Sequence, residues 1–207
     1  MRVDQSLRRD GSAFRYACAL AFALVCEVCL ALFAPLAGAQ GALAAASVPA
    51  PVAQAIPEAR LAGQGVLRFW GFHVYDAQFF VGDAGYLPER PGAAPFALDV
   101  KYARHFEGKA IAKTSLDEFE RLGAGSPAQR EQWYEELLKV IPDVVDGQHL
   151  TGLFLPGQGL KLYSDGALLG FLQDPELAQA FFRIWLDPRT KAPELREKLL
   201  ADAAPRR

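Results

Sequence analysis

Beyond residue 29 the chain has no cysteine, because Cys18, Cys26 and Cys29 are all it contains. Disulfides, thiol nucleophiles and cysteine-built metal sites are therefore excluded from everything that follows, and stability has to come from a packed core. Histidine is scarce too. A zinc site would need all of His73, His105 and His149 plus carboxylates from distant segments, so no metal and no cofactor is expected. No Gly-x-Ser-x-Gly elbow occurs, and the serines after the leader fall in helix, cap or turn positions, which leaves a serine hydrolase unsupported. Pro156-Gly157-Gln158-Gly159 is followed by no Gly-Lys-Thr/Ser and opens no helix, so it reads as a hairpin turn and not a phosphate loop. With 22 basic and 24 acidic residues, net charge −2 and no basic run interleaved with aromatics after the leader, nucleic acid is not an expected partner.

What is there begins with an export signal. Arg2, Arg8, Arg9 and Arg15 precede an apolar run from Tyr16 to Ala37, and Ala37-Gly38-Ala39 supplies the small residues a signal peptidase accepts. The expectation is a signal peptide over 1–39 and a periplasmic or secreted protein. The alternative is an uncleaved anchor, since the run approaches the ~20 residues that span a bilayer; Glu27 and Pro35 weigh against it, and an uncleaved leader is the one membrane contact expected. From Gln40 the chain is rich in alanine and proline with few large apolar residues, which reads as a flexible linker over 40–60. The remainder, 61–203, has the size of one domain.

Within it, Gln64–Trp70 and Phe72–Val81 read as strands meeting at Gly71, as a tight hairpin or one bent strand. Phe96–Arg104 alternates cleanly, with Tyr102 and Arg104 on its buried side. Helices are predicted from Glu107 to Leu122, closed by Gly123, and from the Ser126-Pro127 cap to Pro142. Strands follow at Leu150–Leu155, Leu160–Tyr163 and Ala167–Leu172, the last two joined through Asp165-Gly166, a favoured hairpin turn. Asp174-Pro175 caps a helix carrying Phe181 and Trp185, whose helical spacing marks them as core, and a last helix starts near Pro193. Strands, helices, strands, helices make an α+β plan, an antiparallel sheet covered on one face by helices.

The stretch Gly65–Gly82 points to a cleft. His73, Tyr75, Ala77, Phe79 and Val81 share one strand face. A tyrosine on a mostly apolar face has its hydroxyl bonded to a neighbour, or offers it to a ligand.

Three pieces, in this order and spacing, resemble a bacterial member of the chalcone isomerase-like family over about Leu61 to Leu200: Gly63-Gln64-Gly65 leading into Val74-Tyr75-Asp76-Ala77; Pro142-Asp143-Val144 with Gly147 and Pro156-Gly157-Gln158-Gly159; and Phe181 through Pro188. The resemblance implies an open-faced β-sandwich with a ligand cleft between sheet and helices. Plant chalcone isomerases close a flavanone ring with an arginine and a threonine from the first hairpin and a tyrosine at the start of the first helix. Here the threonine position is Tyr75, and the tyrosine falls near Ile111, which has no hydroxyl. The arginine is Arg68 or Arg60, with Arg104 a third candidate. Non-catalytic relatives bind fatty acids through an arginine and a tyrosine, and a guanidinium beside a tyrosine hydroxyl suits one carboxylate.

Three readings follow. The first is an exported, non-catalytic protein that binds a small hydrophobic carboxylate such as a fatty acid through Tyr75 and Arg68 or Arg104. The second is an isomerase, an intramolecular lyase of the chalcone–flavanone type in which an arginine stabilises an oxyanion. The third is a structural envelope protein whose cleft is filled by its own aromatics.

Overall fold

The computed structural model describes residues 47–206. The expected leader and the first part of the expected linker lie outside the described residues. Strands β1 Arg60–Phe69, β2 Phe72–Val81, β3 Phe96–Tyr102, β4 His149–Leu155, β5 Gly159–Ser164 and β6 Ala167–Leu172 form one antiparallel sheet in the order β1-β2-β3-β4-β5-β6. Five helices accompany them among the described residues: α1 Ala50–Ala55, α2 Gly108–Leu122, α3 Pro127–Val140, α4 Pro175–Leu186 and α5 Pro193–Leu199.

The period of two decides which side chains meet the helices. Ala77 and Phe79 of β2, Phe96 and Leu98 of β3, and Phe154 of β4 point inward, where they join Phe119, Trp133, Leu137 and Phe182 from the helices in one core. Fully burying each of these phenylalanine and leucine side chains stabilises the fold by about 1.5–3 kcal/mol.

Local signals end the helices where the sequence predicts. Gly123 adopts the left-handed conformation, φ 67°, that closes α2. Ser126 and Gln129 form a reciprocal capping box at α3. Asp174 caps α4 through the N–H groups of Glu176 and Leu177 at 2.8 and 2.9 Å, and its other oxygen accepts the Trp133 indole N–H at 2.8 Å, tying α3 to the start of α4.

The Gly63-Gln64-Gly65 motif has a packing cause. A Cβ at Gly63 would lie 2.0 Å from the Lys198 carbonyl oxygen, and one at Gly65 2.7 Å from Leu195 Cδ1, so only glycine lets α5 lie this close to β1.

The Phe181–Pro188 motif ends in an ionic lock. Asp187, buried, accepts from Arg183 at 2.9 and 2.7 Å and from Arg189, while the same guanidinium groups donate to the Leu122 carbonyl at the end of α2. Burial opposes ionisation of Asp187, but hydrogen bonds from Arg189 and Arg183 outweigh it and hold its carboxyl well below the usual range. Nearby Glu118, also buried, is held down by Arg121 and Lys191 against the same burial effect.

Two expectations are corrected. Residues 50–60, expected within a flexible linker, are ordered: α1 starts with Pro51 in its first turn, and Val52 and Ile56 are buried against Phe80, Ala97 and Leu153 on the face of the sheet away from the other helices. Val52 and Ile56, four apart, share one helix face, and half-buried Val48, Ala55 and Ala59 pack against the same apolar cluster. The third strand ends at Tyr102 instead of Arg104, so Arg104 is an exposed residue past the strand and does not lie on its buried side.

Candidate functional site

Tyr75 sits at the end of the β2–β3 ladder, opposite Leu67 on β1 and Tyr102, the last residue of β3, and faces the helices. Its hydroxyl accepts the Trp185 indole N–H at 2.8 Å, a contact that joins β2 to the last turn of α4. Among the described residues that hydroxyl donates to no acceptor, and the hydroxyl of Tyr102 makes no hydrogen bond. The two rings meet edge to face at 6.0 Å. Burial pushes Tyr75 up to about 12, with the Trp185 hydrogen bond pulling weakly the other way. Tyr102 is raised as well, first by burial and then by the neighbouring Tyr75. At neutral pH both are therefore protonated phenols, two donors and no base, suited to an acceptor oxygen.

The walls continue from these residues. Phe106 lies 5.6 Å from Tyr102 and Phe181 5.4 Å from Trp185, ring centre to ring centre, and Leu67 and Ile111 are half-buried against the same core. Further along the sheet the space is filled: Phe96 stacks on Phe154 at 4.7 Å and meets Phe182 edge-on at 4.8 Å. One cavity of about 170 Å³ lies in the β2–β3 loop beside Tyr86 and Arg90, and one of about 340 Å³ beside Gly63 and Lys198; Tyr75 lines neither.

No hydrogen bond joins Tyr75 to Arg68 or Arg104, the residues expected to grip a ligand with it, among the described residues. Arg68 follows half-buried Leu67 at a register shift and is exposed. Arg104 lies 6.0 Å over the Phe106 ring, at the outer end of the Tyr75–Tyr102–Phe106 string. Arg60, the other hairpin candidate, donates to the Asp202 and Ala204 carbonyls at 2.5 and 2.7 Å and anchors the C-terminal segment instead.

Of Tyr75 and its two partners, Tyr102 and Trp185, the partners were given no ligand role from sequence. Trp185 has the spacing of a core residue, and nothing local marks its N–H as the partner of Tyr75. Strand alternation places Tyr102 on the buried face of β3, but only the register that sets it opposite Tyr75 brings the two phenols together. On the opposite face, buried Asp99 accepts the Thr151 hydroxyl at 2.6 Å and lies 2.7 Å from His149 Nδ1. Among the described residues no group of three or more His, Cys, Asp or Glu side chains is placed to hold a metal ion.

A six-stranded antiparallel meander with its main helical layer on one face, and a tyrosine–tryptophan pair between the layers, defines an open-faced β-sandwich of the α+β class. The chain belongs to the chalcone isomerase-like family, whose model matches residues 40–201. It is 31% identical over 132 residues to an uncharacterised protein of Haemophilus influenzae, and it spans 63% of that relative's length while the match takes up 63% of this chain. Among solved structures it resembles a fatty-acid binding protein of Arabidopsis thaliana, with a TM-score of 0.56 at 11% identity, over 71% of this chain and 89% of that one.

Proposed function

We propose that the protein binds a small hydrophobic carboxylate, such as a fatty acid, without turning it over. The observation that carries this reading is the Tyr75 hydroxyl, fixed by Trp185 with its own proton uncommitted and a second phenol beside it. A carboxylate oxygen accepting from Tyr75 and Tyr102 would satisfy both, and the acyl chain would take the place of half-buried side chains such as Leu67 and Ile111. Arg104 supplies the countercharge from the rim by swinging off Phe106, with Arg68 the competing candidate. The fatty-acid binding protein that shares the fold supports a ligand of this class; the absence of a hydroxyl at Ile111 and the protonated state of Tyr75 favour binding over isomerisation.

The aromatic stack of Phe96, Phe154 and Phe182 supports a second reading, a structural protein with its cleft filled. Export to the periplasm completes the first, supported by the arginine-flanked apolar leader and the lack of cysteine after it.

Native mass spectrometry of the protein from a periplasmic fraction tests both. The mass should begin at Gln40, and a fatty acid should accompany the wild type and be lost in Tyr75→Phe and Arg104→Gln. Loss in Arg68→Gln alone would transfer the countercharge to Arg68. A wild-type protein that arrives empty and takes up no fluorescent fatty acid would leave the structural reading standing.

A further inference from the structure

We infer that the tip of the β1–β2 hairpin docks on a lipid surface, with Phe69, Trp70 and Phe72 entering the boundary between headgroups and acyl chains and Arg68 meeting lipid phosphates. This contact is separate from the one an uncleaved leader would make, and it does not depend on the ligand reading.

Of the six large apolar side chains exposed among the described residues, four lie on this one hairpin: Val66, Phe69, Trp70 and Phe72. Phe69, Trp70 and Phe72 are 67%, 85% and 66% exposed. The hairpin also projects, because β3 ends at Tyr102 opposite Tyr75, so residues 68–73 pair only with one another. Trp70 and Gly71 form the two-residue turn, with φ 51° and 81°. The first of these positions ordinarily holds asparagine, aspartate or glycine, and a bulky side chain is disfavoured there. Trp70 thus holds the most exposed indole of the fold at a strained apex.

Charge selects the partner. Between Gly65 and Tyr75 the ionisable side chains short of Tyr75 are Arg68 and His73; His73 is taken up by Asp76, whose carboxylate lies 3.2 Å from its Nε2, while Arg68 makes no ion pair among the described residues and is the free charge of the tip. Two tips meeting in a dimer would bring Arg68 against its own copy, a like-charge contact. An anionic bilayer surface accepts both features at once, since tryptophan and phenylalanine settle at the interface and a basic residue gains from headgroup charge. Docked in this way, the hairpin carries the Tyr75 end of the sheet to the membrane.

Tryptophan fluorescence of the full chain on vesicles of phosphatidylcholine with and without phosphatidylglycerol, with brominated acyl chains, tests this. Trp133 and Trp185 belong to the core, so the difference between wild type and Trp70→Ser isolates Trp70. The expected result is a blue shift and quenching of Trp70 by shallow bromines, lost in Phe69→Ser/Phe72→Ser. Arg68→Gln should raise the anionic lipid needed for half-maximal quenching roughly fivefold. Attachment through the leader alone would leave Trp70 in water; an unmoved Trp70 signal on protein-bearing vesicles therefore overturns the proposal. So does a blue shift that grows with protein concentration without lipid, which would assign the tip to a second copy. Equal half-quenching for Arg68→Gln overturns the headgroup contact.

Discussion

Trp185 and Tyr75, 110 positions apart in sequence, share a 2.8 Å hydrogen bond that fastens the C-terminal turn of α4 to the second strand. It sets the orientation of the hydroxyl proposed to meet the ligand, and it contributes to stability whether or not a ligand is bound. Tyr75→Phe leaves the indole N–H without an acceptor and should lower stability by about 1 kcal/mol. In a double-mutant cycle with Trp185→Phe, urea unfolding should yield a coupling of about 1 kcal/mol. Additive single effects would show that the bond does not hold in solution.

Alkaline pH should unfold the protein in a defined window. Burial raises Tyr75 and Tyr86 to about 12 from an unfolded value of 10, and Tyr102 is raised too. The unfolded chain then releases these protons before the folded one, so the contribution is complete below pH 10 and is lost as pH climbs from there to about 12. Phenolate absorbance should rise together with loss of near-ultraviolet circular dichroism, and Tyr75→Phe should move the transition to higher pH.

Asp187 behaves in the opposite sense. Its carboxyl is held below its ordinary 3.8, so its contribution is full above that pH and drains away as pH falls. Asp187→Asn strands Arg183 and Arg189 beside the Leu122 carbonyl and should cost about 2 kcal/mol at neutral pH, a figure kept low because both guanidinium groups reach solvent. Chemical denaturation should find the difference between variant and wild type shrinking in acid; a constant difference would mean the lock is not electrostatic.

Trp70→Asn should raise stability by about 0.5–1 kcal/mol, because asparagine fits the left-handed position that tryptophan occupies at φ 51°. The same substitution should lower the fraction of protein that sediments with anionic vesicles, a readout that does not use the indole it removes. A gain in melting temperature paired with loss of lipid contact separates what position 70 does for the fold from what it does at a surface.

Ile56→Ala should cost about 2–4 kcal/mol, since Ile56 is fully buried beneath Phe80, Ala97 and Leu153. A change within the few tenths typical of an unstructured segment would put the start of the folded unit back at β1.

The sequence was most legible where one residue type forces one backbone geometry. Phe72–Val81, the Asp165-Gly166 turn and the Ser126-Pro127 helix start appear as read, because strand alternation, positive φ and capping act locally. It was least legible where the cause is distant. Val52 and Ile56 look too few to order an Ala/Pro segment until the patch of Phe80, Ala97 and Leu153 is known. Arg104 continues the alternation of β3 on paper, but the ladder ends at Tyr102, where the chain turns to pair Phe106 with Val144. The Trp185–Tyr75 bond closes across most of the domain, and no window of sequence contains both partners.

The strand order has a kinetic consequence. Each strand pairs only with its sequence neighbours, so β1–β2, β5–β6 and the β4–β5 turn can form from nearby residues. The β3–β4 seam alone must close over a loop that contains two helices, and loop closure is what slows such pairings. The buried Asp99–Thr151 bond spans that seam. Closure of the β3–β4 seam is therefore the step expected to limit folding speed, and Asp99 and Thr151 are a pair whose native contact cannot exist before that step.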